Sequence, residues 1–474
     1  MDAQRGIARR FVIGLPREGL SPAWERDFSS YAPAGVIVFK RDFPDLAGLR
    51  ALTTRLRELA KPRRIFLALD EEGSFVSQLA GHATVSPSAT LLSRGATLED
   101  ITWIARVTGE RLRALGFDWD YAPVADVHSE ARNPVIGPRA FGSDPDEVAA
   151  RVRAWVGGFR AARIASCLKH FPGHGDTVLD SHFALPRCDA DRGQLDAREL
   201  VPFRANLDAD SVMTAHVIYP ALDPERPGTF SRAVVHDLLR EKLGYTGVAI
   251  TDALEMKGAA EGRSAGDVGR MALEAGCDLL LYAFHDEAVR RARYELADAL
   301  VEGKLDRANF DAARPRLAAF DQRIPEPTAE ELARPLDALV PAEWEERLAA
   351  ITERGLAVRG SAPTVTGGAW RVTEPEFTDG PGLAELLRAR GVPIAGDGEP
   401  ATEVVALMTR KPVPDEEVAR LRALAASRPL VLIGLQADTF LDDVPEAALR
   451  ISAADATPLT RRAIAERIAG KLRA

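Results

Sequence analysis

DPDEVAARVRAWVGGFRAARIASCLKHFPGHGDTVLDSH, residues 144–182, holds a helix, a strand and a loop in immediate succession. Up to Arg163 the apolar residues fall three and four apart, which predicts an amphipathic helix. ASCLK (165–169) is a short apolar run of the kind that forms a buried parallel strand. From Lys169 to His182, Pro172, Gly173 and Gly175 exclude any regular element. That last segment carries three of the chain's eight histidines, together with Lys169, Asp176 and Asp180. A strand that delivers titratable groups to an irregular loop sets the pattern for much of the chain.

Seven similar runs accompany it within the first 285 residues: RFVIGL (10–15), GVIVF (35–39), RIFLAL (64–69), FDWDYAPVADV (117–127), SVMTA (211–215), GVAIT (247–251) and CDLLLY (277–282). Amphipathic segments such as DLAGLRALTTRLRELA (45–60) separate them. Eight β runs alternating with helices predict an α/β fold, a (β/α)8 TIM-type barrel. A doubly wound sheet would carry a glycine-rich dinucleotide turn after its first strand, and GLPREG (14–19) does not match one. In a barrel the residues that end the strands meet at one mouth. Asp70, Asp126, Lys169 with His170, His216 and Asp252 all hold such positions. Any one of them could cap a helix or satisfy a turn, but five strands feeding one rim point to catalysis.

Beyond about residue 320 the pattern changes. The barrel is expected over 1–322, a proline- and acid-rich linker over 323–345, and a smaller α/β domain over 346–474, with strands at TEVVALMTR (402–410) and PLVLIGLQ (429–436). That domain shows no chemical motif.

The chain has 474 residues, 46% of them hydrophobic, and a net charge of −9, which argues against nucleic acid or an anionic membrane as a partner. Three cysteines are too few for a disulfide framework. No signal peptide and no long apolar span is legible, so a cytoplasmic setting is expected.

The loop could hold a metal, since His170 and His174 are spaced i, i+4, but the breakers between them disfavour the helix that would align them. A phosphate cradle would need a following Gly-Lys-Ser/Thr, and a serine hydrolase a G-x-S-x-G turn, and neither occurs here. Asp180 and His182 are spaced i, i+2, so in extended chain the carboxylate can orient the imidazole and leave one nitrogen free to move protons. Asp252, ending GVAIT, could attack an electrophilic carbon, or could merely cap the next helix. A nucleophilic carboxylate facing an oriented proton donor is the equipment of a retaining glycosidase.

KHFPGHGDTVLDSH (169–182) resembles the signature loop of bacterial β-N-acetylglucosaminidases of glycoside hydrolase family 3. LDEEG (69–73), DYAPVADV (120–127), NPVIGPRAFG (133–142), MTAHVIYPALD (213–223) and ITDALEM (250–256) extend the resemblance in order over roughly residues 8–285. It implies that Asp252 is the nucleophile and that His182, paired with Asp180, is the general acid/base. Asp70, Arg139, Lys169 and His170 match sugar-binding positions of the family, and His216 is counted with them as substrate-binding. The resemblance implies a small carbohydrate substrate, terminal β-linked N-acetylglucosamine, with no cofactor and no metal. One departure is clear. The family reads D-Q-E-G-G-R-V-x-R after the third strand, and DEEGSFVSQ (70–78) puts Ser74, Phe75 and Gln78 where it has a glycine and two arginines. A phosphorylase or β-glucosidase of the same architecture, a metal-dependent hydrolase built on the histidine loop, and a non-catalytic carbohydrate-binding barrel remain the competing readings.

Overall fold

Each of the eight runs yields a parallel strand, seven of them shorter than the run, while the fifth keeps its length but is shifted two residues toward the histidine loop. In the computed structural model these are β1 (Phe11–Ile13), β2 (Gly35–Ile37), β3 (Phe66–Leu69), β4 (Trp119–Asp120), β5 (Cys167–Phe171), β6 (Ser211–Thr214), β7 (Val248–Thr251) and β8 (Leu280–Tyr282). The structure describes the chain except residues 1–2, 180–184, 362, 364–368, 397, 398, 400 and 471–474. Its contacts divide the chain into two compact units.

The first unit takes Met1–Glu71, Leu98–Glu130 and Ser143–Pro341. One sheet runs β8-β1-β2-β3-β4 and a second runs β7-β6-β5, all pairings parallel. Single parallel bridges, Trp119 to Ala165 and Ile250 to Leu279, link the two at both ends. The order fits a TIM-barrel-like core. Every residue of the eight strands is buried, as parallel strands covered by helices must be.

The helix that leads into β5 shows how sequence sets an element. Asp144 accepts the Asp146 and Glu147 N–H groups, Pro145 opens the first turn, and Arg163 closes the helix in the left-handed region. Its face of Val148, Val152, Trp155 and Phe159 is buried. At the amino ends of β3 and β4, Phe320 packs its ring 4.8 Å from Phe66 and 5.0 Å from Trp119. Trp119 also donates to Ser211 Oγ at 2.9 Å. Aromatic side chains thus fill one end of the strand array, and the polar chemistry gathers at the other.

The second unit takes Glu72–Thr97, Ala131–Gly142 and Ala342–Ala474. Its sheet contains β9 (Ala357–Gly360), β10 (Trp370–Thr373), β11 (Thr402–Leu407), β12 (Leu430–Gly434) and β13 (Leu449–Ser452), in the order β9-β13-β12-β11-β10. Only β9 runs antiparallel. Trp370, Val404, Ile433, Leu449, Ile451 and Ile464 form its core. The segment 72–97, which the strand–helix alternation assigns to the barrel, is held here by specific contacts. Ser88 N–H donates to Asp455 Oδ1 at 2.9 Å, and Trp344 Nε1 donates to Thr84 O at 3.0 Å. Gly95 lies so close to the helix Trp344–Gly355 that a Cβ would stand 2.2 Å from Ile351 O. Of the residues expected to be a linker, 323–341 belong to the first unit, where buried Arg113 binds Pro325 O, Glu326 O and the Glu331 carboxylate, and 342–345 belong to the second. No described helix is long and apolar enough to cross a membrane.

Candidate active site

At the carboxyl ends of the first unit's strands the polar residues form three linked groups. Lys169, in β5, is 2% exposed, and its ammonium donates to Asp70 Oδ1, just past β3, at 2.7 Å. A buried ammonium needs such a partner, because neither solvent nor apolar neighbours compensate its lost hydration. Beneath this pair lies Asp120, fully buried at the end of β4. One of its oxygens accepts the Glu71 N–H at 2.9 Å, and the other, Oδ2, has no hydrogen-bond partner. Burial pushes this carboxyl well above its ordinary value, and the Glu71 charge adds to the effect while Lys169 opposes it. Asp120 therefore favours its protonated form more than an ordinary carboxyl does.

The second group centres on Asp126. Its Oδ1 accepts the His170 and His174 N–H groups at 3.1 and 2.7 Å, and its Oδ2 meets His170 Nδ1 at 2.7 Å. Burial alone would raise this carboxyl, but the charge and hydrogen bond of His170, with His174, hold it below the usual range. One carboxylate thus fixes both the ring of His170 and the backbone that carries it. His174 turns Nδ1 to Thr177 Oγ1 at 3.0 Å, so the two loop imidazoles face different partners. The loop folds back through Gly173, at φ 136°, and Gly175, where a Cβ would fall 1.6 Å from Val127 O. Arg198 Nη2 donates to Asp176 Oδ2 at 2.6 Å and ties the loop to the segment Leu195–Glu199. Glu199 beside it is fully buried and pushed up to about 7 by burial, against Arg198 and with Asp176 and Asp126 adding to the rise. Asp180 and His182, the expected acid/base pair, lie outside the described residues.

The third group surrounds Asp252, immediately after β7. Its Oδ1 accepts the Ala253 N–H at 2.7 Å, a short turn that holds the carboxylate at the strand end. His216 approaches Ala253 O through Nε2 at 3.0 Å and Thr229 Oγ1 through Nδ1 at 2.8 Å. Both ring nitrogens of His216 therefore bind protein groups, and one of them supports the Asp252 turn.

The first unit thus brings together Asp70, Lys169, His170, His216 and Asp252 at the ends of neighbouring strands. Arg139 belongs to the second unit, where Nε and Nη2 hold both oxygens of Glu72 at 2.8 Å, a bidentate pair. Phe75, in place of a family arginine, packs against the second unit's core. Among the described residues, the one group whose spacing could share a metal ion is His236, Asp237 and Glu241, on the helix Ala233–Lys242 rather than on the histidine loop. Sequence reasoning passed over Asp120 and Glu199. The first was visible only as one acid in an irregular run, and the second as one charge on an amphipathic segment.

The sequence profile described as "Glycosyl hydrolase family 3 N terminal domain" matches residues 22–320. A β-hexosaminidase of Chromobacterium violaceum is 35% identical over 354 residues, covering 72% of this chain and 98% of its own. β-Hexosaminidase A of Pseudoalteromonas piscicida is 35% identical over 339 residues, which is 65% of this chain, and the match spans 56% of that protein's length. Among solved structures, a glycoside hydrolase family 3 β-N-acetylglucosaminidase from a Paenibacillus species superposes with a TM-score of 0.87 at 28% identity, over 99% of this chain and 96% of that one.

Proposed function

Because the chain belongs to glycoside hydrolase family 3, we propose that it is a retaining, exo-acting β-N-acetylglucosaminidase that removes terminal β-linked N-acetylglucosamine. The observation that carries this reading is the placement of Asp252 at a strand end on the same rim as the Asp70–Lys169 pair and the Asp126-bound His170. The relatives named β-hexosaminidase and β-N-acetylglucosaminidase supply the sugar. The two parallel sheets and the bridges at both their ends support reading the core as one closed (β/α)8 barrel.

In this reading the buried Lys169 and the held ring of His170, with Asp70, bind the hydroxyls of the terminal sugar. Because the protein fixes these groups beforehand, little ordering is needed when substrate arrives. The Asp252 carboxylate attacks the anomeric carbon, a C–O bond to the enzyme forms, and the glycosidic C–O bond breaks. His182, oriented by Asp180, gives its proton to the departing oxygen. It then takes a proton from the water that releases the sugar. His216 acts by holding the Asp252 turn. This imidazole acid departs from the two-carboxylate scheme of most glycosidases.

Turnover of an aryl N-acetyl-β-glucosaminide against the plain aryl β-glucoside tests the assignment. Strong preference for the N-acetyl sugar is expected, and Asp252→Asn should lower that turnover by at least about 10³-fold with the fold retained. Equal rates on both sugars, or a near-normal Asp252→Asn enzyme, would remove it.

A further inference from the structure

The second unit holds a cleft of about 520 Å³ whose lining belongs wholly to that unit. It lies past the carboxyl ends of three parallel strands. Residues 376–381 follow β10, Met408 follows β11, and residues 456–459 follow β13. Open α/β sheets bind ligands at that end of their strands. The volume is that of an ordinary small-molecule site.

The turn of the hairpin formed by Glu71–Gly73 and Val76–Ser77 supplies another wall. That turn carries Ser74 and Phe75, two of the three departures from the family's signature, and both line the cleft. Ser74 holds φ 47°, which glycine adopts without strain and serine does not. Its buried Oγ has no hydrogen-bond partner among the described residues. Phe75 and Phe377 are partly buried and pack against the unit's core, giving the cleft an aromatic side.

The polar groups divide into those that brace the cleft and those left open. Buried Arg461 stacks over Phe377 at 4.1 Å and donates to Pro381 O at 2.9 Å, Ala456 O at 2.6 Å and Asp379 Oδ1 at 2.9 Å. Glu345 accepts from Thr84 Oγ1. The side chains of Glu376, Thr378 and Arg462 are exposed and make no hydrogen bond or ion pair among the described residues. Three carboxylates, Glu345, Glu376 and Asp379, stand against two guanidiniums, so the cleft has no excess positive charge to favour phosphate or an acidic ligand. The acids are dispersed, one on Thr84 and one on Arg461, so a cation is not favoured either. Open donors and acceptors beside aromatic rings suit a neutral ligand whose hydroxyls both donate and accept and whose ring has an apolar C–H face.

We infer that this cleft binds an uncharged N-acetylglucosaminyl saccharide, as a second site that contains none of the rim residues. The identity of the sugar rests on the activity proposed above. Its neutral charge and its ring rest on the cleft itself. The site retains saccharide and takes no part in bond cleavage.

The test is equilibrium dialysis of the full chain against a carbon-linked N-acetylglucosamine disaccharide, which has no glycosidic oxygen to cleave. Wild-type protein should bind two equivalents, and Met408→Trp, which fills the cleft from an exposed position, should bind one. Glu376→Ala/Arg462→Ala removes the two open charges and should weaken the second equivalent at least about fivefold. Both variants should keep the wild-type Tm and the wild-type kcat and KM on the aryl N-acetyl-β-glucosaminide, which separates loss of the site from loss of the fold. The same number of equivalents in wild type and Met408→Trp would overturn the second site, and normal aryl turnover would leave the glycosidase reading intact. If aryl turnover fails while Met408→Trp still removes one equivalent, the proposed activity falls and the saccharide site stands. Displacement of that equivalent by inorganic phosphate at constant ionic strength would make the cleft an anion site and overturn the inference.

Discussion

Asp126 shows how much one side chain settles at this site. It is fully buried, yet its carboxyl is held below the ordinary range because three groups of the histidine loop converge on its two oxygens. The sequence offered Asp126 as one more acid at a strand end, without saying what it holds. His182 is the opposite case, a role implied by the resemblance for a residue outside the described part of the chain. Its proposed role makes a sharp prediction. His182→Ala should slow substrates with sugar leaving groups by about 10²–10⁴-fold in the glycosylation step, since an alkoxide needs a proton to depart. Aryl glycosides with acidic leaving groups should lose far less. Pre-steady-state measurement of both classes decides it, and equal losses would show that another group is the acid.

Among elements, the contact between the helix Pro22–Ser30 and the segment after β8 carries a pH dependence. Trp24 Nε1 donates to His285 Nδ1 at 2.6 Å, so that nitrogen must be unprotonated. Burial lowers the His285 imidazole to about 4, with Asp27 opposing and Arg293 adding to the fall. Between the folded value near 4 and the ordinary value near 6.5, the unfolded chain binds more protons than the folded one. Stability from this contact is therefore complete above about pH 6.5 and is lost as pH falls toward 4. Thermal melts from pH 7 to pH 4 should show a fall in Tm that His285→Gln, which does not titrate, reduces. An equal fall in both proteins would assign the acid sensitivity elsewhere. Nothing in the sequence marked this pair, because Trp24 and His285 are 261 positions apart and neither belongs to a motif.

At the scale of the whole molecule, the second unit draws on three separate stretches of chain. The helix Ala89–Gly95 packs Leu91 into the core formed with Trp370, Leu449 and Ile464. Removing everything after Pro341 should therefore leave 72–97 and 131–142 without their partners. We expect a chain ending at 341 to aggregate or to melt well below the full protein, with exposed apolar surface detectable by dye binding. A monomeric, cooperatively folded product with native Tm would show that these segments dock independently of the carboxyl-terminal chain. Sequence alone determined the eight strands, the helices between them and the rim residues Asp70, Lys169, His170, His216 and Asp252, because hydrophobic period and strand-end position are local properties. The tertiary structure decided which rim groups bind one another, that burial raises the Asp120 and Glu199 carboxyls, that His216 bonds to the Asp252 turn, and to which unit Arg139 belongs. Those outcomes depend on burial and on partners far away in the chain, and a carboxyl group carries no local mark of either.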